Sequence, residues 1–278
     1  MKLLLIYFQI ILLVGLTSCR QYRYVYAGSK INTPMLKEKN ESRINGSYSS
    51  GESKGVADSS HNRAIDFQAA YALSNHFALT AAYVSRNESD QFSEDFNTNS
   101  RSLFSSSFIR YRRQFTEIGA GYFFQHRRNT VLSLYGGAGF GRLRFDDSGL
   151  RDSLLYSRQF SAQMMKVFIQ PGVSFLKEKG ISIDLSMRFS WVDYSNIQSS
   201  YTATEEELLH LNGLGSANPI LFVEPAFTFS IPAPKLNWLR IEAGYNTVLN
   251  YTYWNVRNAN FFIGLTTDPF KLIGKKKD

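Results

Sequence analysis

The sequence predicts an all-β protein: an up-and-down antiparallel transmembrane β-barrel of about ten strands with a plugged lumen, forming one domain over residues 41–268. Three observations predict it. Apolar and polar residues alternate with a period of two along most of the chain, short links between these segments take turns with long ones, and the face opposite the apolar one is rich in Gly, Ala and Ser. Composition agrees: the 278 residues are 44% hydrophobic with a mean hydropathy of −0.23. That is too polar for a bundle of membrane helices, each of which needs about 20 apolar residues in a row. A single Cys rules out a disulfide framework, and 22 Phe, 16 Tyr and 3 Trp argue against disorder.

Taken in order, Met1-Lys2 is followed by an apolar stretch from Leu3 to Leu16 broken by Gln9, the charged start and short apolar core of an export signal. Leu16-Thr17-Ser18-Cys19 closes it and resembles a bacterial lipobox, at which the peptide is cut and the new N-terminal Cys is acylated. Residues 1–18 are read as a lipoprotein signal peptide, Cys19 as the lipid attachment site and 19–40 as a lipidated periplasmic linker. Acyl methylenes are worth about 0.8 kcal/mol each when buried, so several chains anchor firmly. Arg20 stands where an Asp would resemble an inner-membrane retention signal, and Arg20-Gln21-Tyr22-Arg23 lacks the acidic stretch of many surface-exported lipoproteins. Both absences point to the periplasmic leaflet of the outer membrane.

The clearest alternation covers 181–192, where Ile181, Ile183, Leu185, Met187, Phe189 and Trp191 interleave with Ser182, Asp184, Ser186, Arg188 and Ser190. One face of such a strand is apolar and the other polar, a pattern no amphipathic helix gives. Further strands are expected at 41–50, 65–73, 77–83, 118–124, 131–140, 167–175, 221–231, 239–246 and 261–266. Short links lie at 74–76, 126–129, 177–180 and 232–238, and long polar ones near 51–63, 86–102, 146–157, 193–218 and 249–258. Short turns on one side and long loops on the other mark a membrane barrel, and an even strand count puts both termini on the short-turn side. Trp191 and Trp254 fall at long-loop ends and Trp238 at a short-turn end, as interfacial aromatics should.

A soluble lipid-tethered β-barrel shows the same alternation, so the second face decides. Gly119, Gly121, Gly137, Gly139, Gly172 and Gly244 suit a crowded lumen better than a solvated exterior. The lipobox to Cys19, the segment Asn32-Thr33-Pro34-Met35-Leu36-Lys37-Glu38-Lys39 and the run Asp66-Phe67-Gln68-Ala69-Ala70-Tyr71-Ala72-Leu73-Ser74-Asn75-His76-Phe77 resemble the lipidated outer-membrane β-barrel proteins of the Bacteroidota. The resemblance implies an outer-membrane address and a barrel, and no activity.

Net charge is +8, but its distribution says more. Across 86–102, 146–157 and 193–218 stand Glu88, Asp90, Glu94, Asp95, Asp146, Asp147, Asp152, Asp193, Glu205, Glu206 and Glu207 against Arg86, Arg101 and Arg151, so the outer rim is expected to be acidic. The opposite side carries Arg127, Arg128, Lys177, Lys179, Lys235 and a basic tail over 269–278. This excess lies beside a membrane, so nucleic acid is not an expected partner. No acidic spacing is similar to a calcium loop, and neither metal nor cofactor is expected. Thr204-Glu205-Glu206-Glu207-Leu208-Leu209 has a capping-box pattern and predicts a short helix in loop 193–218, packed over the mouth or contacting a surface partner.

Charged residues expected inside the lumen are Asp66, Glu117, Asp184, Arg188, Glu224, Arg240 and Glu242. Arg188 and Glu224 stand at one height on neighbouring strands, as do Asp184 and Glu242 two strands apart. Opposite charges in a narrow lumen should pair, because an unpaired one is costly. Ten strands leave a side-chain-filled interior, so no conducting pore is expected. The competing class is an omptin-like or acyltransferase-like barrel enzyme. An omptin resembles a water activated by an Asp–His pair facing two Asp, but no Asp and His stand two apart at a long-loop end: His61 is isolated, His76 and His126 sit at short turns, and His210 has no Asp nearby in sequence. Asp146 and Asp147 are adjacent and point oppositely on a strand. The expectation is a monomeric, non-enzymatic barrel that contacts outer-membrane lipid and has a structural or surface-interaction role.

Overall fold

β-branched and aromatic residues at every second position hold the chain extended, and the extended segments pair with their neighbours in sequence. The computed structural model describes residues 23–51, 59–93, 106–127, 129–151, 154–177, 180–216, 219–250 and 254–269. Cys19, the segment expected to be a signal peptide and most of the basic tail lie outside these. The elements are β1 (Tyr24–Ala27), β2 (Ser42–Ser50), β3 (Ser59–Ala72), β4 (Phe77–Ser93), β5 (Ser106–Arg127), β6 (Thr130–Arg151), β7 (Leu154–Phe175), β8 (Ser182–Ser199), α1 (Ala203–Leu208), β9 (Ile220–Ala233), β10 (Leu236–Thr247), β11 (Leu249–Asn250), β12 (Asn255–Arg257) and β13 (Ala259–Thr267).

Ten strands form the wall: β2 to β10 pair antiparallel in chain order, β10 pairs with β13, and β13 pairs with β2, which closes the barrel. Each of the ten expected segments falls, to within a residue, on one wall strand. The expected loops do not survive as well. Strand β8 runs on to Ser199, and β6 and β7 extend to Arg151 and from Leu154, so most of 146–157 and the start of 193–218 are wall.

The reason is a reversal of polarity along the same strands. In the half nearer the short turns, Ile118, Tyr122 and Phe124 of β5, Leu132, Leu134 and Phe140 of β6 and Met165, Val167 and Ile169 of β7 point outward with 40 to 63% of their surface exposed. In the half nearer the long loops the parity switches. Ile109, Tyr111, Phe115, Leu143, Phe145, Phe160, Ala162 and Met164 point inward and are buried, while Arg110, Arg112, Gln114, Arg142, Arg144 and Gln163 face out. The long-loop half is thus built like a water-soluble barrel with an apolar core. The short-turn half is its inverse: Leu185 and Phe227 are exposed, and Arg188 and Glu224 are buried.

The N-terminal segment occupies the interior of both halves. Residues 23–36, assigned by the sequence to a linker outside the barrel, are buried almost throughout. Strand β1 pairs in parallel with β12 inside the mouth. Further down, the Asn32 side-chain amide donates to the carbonyls of Ala69 and Ala81 while the Asn32 backbone carbonyl accepts from the Gln170 side chain on β7, so the segment touches distant strands at one level. Met35 and Leu36 then pack with Phe123, Val131 and Leu176 at the short-turn end. Fourteen extended residues reach at most about 45 Å, enough to run the length of a membrane-spanning wall. Where the segment passes β10, a Cβ on Gly28 would come within 2.8 Å of the Val248 and Asn246 side chains, so a larger residue there would have to displace them. The described chain therefore begins at the long-loop end and β13 ends on the short-turn side; the termini themselves, which the sequence expects at the short turns, lie outside the described residues.

The two halves make opposite demands on substitution. Phe145→Ala, which removes a buried ring stacked on Phe160 at 4.9 Å, is expected to cost about 3–5 kcal/mol. Gln114→Ala, on the exposed side of the same tier, should stay within about 0.5 kcal/mol. Guanidinium unfolding of both variants in lipid vesicles measures the difference.

Candidate functional site

The interior is the part of the molecule where chemistry-bearing side chains converge, and β1 with the residues after it organises them. At the long-loop mouth, Arg23 donates from Nε and Nη2 to Oδ2 of Asp147 at 2.9 and 2.6 Å. Asp147 also accepts from Ser107 and Tyr156 at 2.9 Å and from Tyr201 at 2.7 Å. Both partners are fully buried, so charge pairing and a complete set of donors offset the loss of water. One level down, Arg257 of β12 holds Asp90 at 2.6 Å and Glu88 at 3.0 Å, and Glu88 also pairs with Arg113 and Arg86. Two of these arginines hold the backbone of the segment: Arg113 donates to the Tyr24 carbonyl and Arg86 to that of Gly28 at 2.8 Å.

In the short-turn half the segment supplies its own side chains. The Tyr26 hydroxyl donates to Glu224 at 3.1 Å, and the ring stacks on Phe222 with centroids 4.2 Å apart. Lys30 bridges Glu242 at 2.9 Å and Asn45 at 2.7 Å. Across the lumen, Glu117 takes Arg188 at 2.9 Å and Lys166, and Arg188 donates twice to Gln170 while lying over the Phe168 ring. Phe168 finds room because Gly137 faces it, where a Cβ would come within 2.8 Å of the ring.

Of the seven residues the sequence assigns to the lumen, Asp66, Glu117, Asp184, Arg188, Glu224 and Glu242 are buried. Arg240 is half-buried near the short-turn mouth, donating to Ser230, Ser182 and the Gly180 carbonyl. Arg188 and Glu224 are register partners on β8 and β9, yet Arg188 pairs across the lumen with Glu117, and Glu224 accepts from Ser190 and Tyr26. Asp184 and Asp66 each accept a serine hydroxyl at 2.5 Å. Sequence reasoning missed Arg23, Lys30, Arg86, Glu88, Asp90, Arg113, Asp147, Lys166 and Arg257, because it placed the segment outside the barrel and read the strand extensions as loops.

The expected acidic rim is corrected for four of its eleven carboxylates, while Asp146, Asp193, Glu206 and Glu207 are not buried and Glu94, Asp95 and Asp152 lie outside the described residues. Glu88, Asp90, Asp147 and Glu205 are buried and paired with arginine instead of facing water. The helix α1 does form, but its N-cap is Thr202 and the reciprocal partner is Glu205. Glu205 also binds Arg151 at 2.9 Å and Arg158 at 3.0 Å, and Leu209, Leu211 and Leu214 beyond it close the mouth from above. Burial pushes the Glu205 carboxyl up, but hydrogen bonds from Arg158 and Thr202 outweigh that and hold it below the usual glutamate range. Of the three tryptophans, Trp191 is exposed on the outer face, Trp238 lines a cavity of about 520 Å³ at the short-turn end beside Arg43 and Arg240, and Trp254 packs against the buried apolar cluster. The last corrects its assignment to an interfacial belt. The four histidines are scattered: His61 is exposed on β3, His76 stacks on Tyr122, His126 is exposed beyond Phe124, and His210 follows α1.

No family model matches the sequence, and no curated protein matches it. Among solved structures, the chain is similar to the outer membrane protease OmpT from Escherichia coli, at 12% identity and a TM-score of 0.48, over 82% of this chain and 96% of that one. It is similar to the translocator domain of the autotransporter NalP from Neisseria meningitidis at 10% identity and 0.44, over 82% and 87% of the two chains. It is also similar to Ail, the attachment invasion locus protein of Yersinia pestis, at 11% identity and 0.30, over 84% and 99%. The class of the protein is defined by its own strand pairing: a closed, ten-stranded antiparallel barrel with an extended segment of the same chain inside.

Arg23→Ala leaves Asp147 buried without its charge partner and should cost about 3–5 kcal/mol, whereas Arg23→Met with Asp147→Leu should recover most of that loss; denaturant unfolding of the single and double variants checks this. Because the Glu205 carboxyl is held below its unfolded value, its contribution is present above the ordinary glutamate pKa of about 4.3 and is lost as pH falls through the lower folded value. Hydrogen-exchange protection of α1 should therefore fall on acidification below about pH 4, and Glu205→Gln should lose that pH response.

Proposed function

We propose that this chain is a lipid-anchored outer-membrane β-barrel, closed to ions by its own N-terminal segment, with a structural or surface-interaction role and no catalysis. The reversal of polarity along β5, β6 and β7 carries the reading. A soluble barrel rarely exposes a contiguous apolar area above a few hundred Å², yet here an apolar band lies on the outside of the short-turn half only. Hydrocarbon around that half, and water around the other, satisfies both. A barrel also satisfies its backbone hydrogen bonds internally, as lipid requires.

Acylation at Cys19 rests on the lipobox. Cys19 is four residues before Arg23, a reach of about 14 Å, and Arg23 is bound at the long-loop mouth. On this reading the acyl chains sit in the leaflet on the long-loop side, opposite to the periplasmic placement expected from the sequence, and the C-terminal tail stays periplasmic. The lumen is filled by paired side chains and needs no cofactor. The outward side of loop 193–218, where Leu208 is exposed, is the surface offered to a partner.

Recording in a planar bilayer should show no steady conductance for the whole chain and a stable open conductance after deletion of residues 23–36; a steady pore in the intact protein would overturn the closure. An epitope inserted after Arg20 should bind antibody on intact cells. Binding only after the outer membrane is permeabilised would put the anchor on the opposite side.

A further inference from the structure

The outer surface immediately beyond the apolar band is strongly cationic on one side of the barrel. The last largely apolar row across the sheet runs Phe67, Tyr83, Thr116, Phe140 and Met165 in register on β3 to β7. Two residues further along each strand, the row reads Ile65, Ser85, Gln114, Arg142 and Gln163; the next reads Arg63, Asn87, Arg112, Arg144 and Ser161. Arg110 stands in the row beyond, opposite Asp146. All five arginines are exposed. Arg112 and Arg144 face each other directly across β5 and β6, an arrangement that destabilises a strand pair through like-charge repulsion. The one carboxylate among them, Asp146, accepts from Arg144 at 3.2 Å.

Steps of two residues are about 6.6 Å along a strand and about 5 Å along the axis of a tilted barrel. The Arg142 row therefore stands roughly 5 Å above the edge of the apolar band, within a headgroup layer about 5–8 Å deep, and the Arg112–Arg144 row roughly 10 Å above it, from where long side chains reach back to that layer. The guanidinium is the side chain best matched to phosphate, through paired N–H donors and a permanent charge. Gln114, Asn87 and Gln163 add neutral donors between the arginines.

We infer that this face binds the phosphate groups of membrane lipids in the leaflet on the long-loop side, which neutralise the Arg112–Arg144 pair and fix the barrel's depth and rotation. The inference rests on the membrane reading above. Its test uses the full chain in phosphatidylcholine nanodiscs doped with diphosphoryl lipid A, compared with Arg112→Gln/Arg142→Gln/Arg144→Gln and with the corresponding triple lysine variant. Native mass spectrometry should show lipid A retained about tenfold over phosphatidylcholine by the parent chain, with most of that preference lost in the glutamine variant and partly kept in the lysine variant. Equal retention by the parent and glutamine chains, or abolition of the preference by millimolar inorganic phosphate alone, would overturn it. A heat-dependent shift in gel mobility confirms that each variant is folded. Failure to enter nanodiscs at all would instead count against the membrane reading, which keeps the two outcomes apart.

Discussion

A strand presents two faces, and the outer face of this barrel changes from apolar to polar partway along β5, β6 and β7. That constraint governs the rest of the structure. Where Ile118, Phe140 and Val167 face out, the inner face must be small or polar; where Arg112, Arg144 and Gln163 face out, the inner face is free to be apolar and becomes a core of Phe145, Phe160 and Tyr111. From β4 to β7 the register runs through this change without a bulge, and only the β7–β8 pairing shifts there, between Ser161 and Gln163. A change in the parity of apolar positions is enough, since neighbouring side chains already point to opposite faces.

Residues 23–36 lie buried inside the closed wall of ten strands. Apolar Tyr24, Val25 and Tyr26 meet the apolar tier. Polar Lys30 and Asn32 meet the polar one, where Glu242, Asn45 and Gln170 await them. At each level the segment matches the wall around it, down to Met35 and Leu36 against Phe123, Val131 and Leu176 at the short-turn end. Its buried charges are individually expensive and collectively satisfied, which makes its position specific: a shift of one residue would move Arg23 from Asp147 and Lys30 from Glu242 together.

Much of this was legible in the residue pattern. All ten wall strands followed from period-two alternation, and the inward side of Asp66, Glu117, Asp184, Arg188, Glu224 and Glu242 followed from parity. What did not follow had a common cause. In 106–115 and 142–147 the alternation continues with apolar residues on odd positions where 118–124 and 132–140 have them on even ones. Read by polarity alone these stretches look like charged loops, and their carboxylates look solvated. Read by parity, Ile109, Tyr111, Leu143 and Phe145 mark an interior, and Asp147 beside them is inward too. The pairing of Arg188 with Glu117 instead of Glu224 was beyond reach, because it spans the lumen and depends on Gln170 filling the remaining donors. The place of Arg23 to Leu36 was equally hidden: a short extended segment with no partner strand of its own in sequence carries no signal of where it docks.

The wall begins at β2, after the internal segment, and its seam joins β2 to β13, the first and last wall strands. Arg23 and Lys30 lie inside the wall that this seam closes, so assembly has to take two charged side chains out of water, a cost offset once Asp147 and Glu242 receive them.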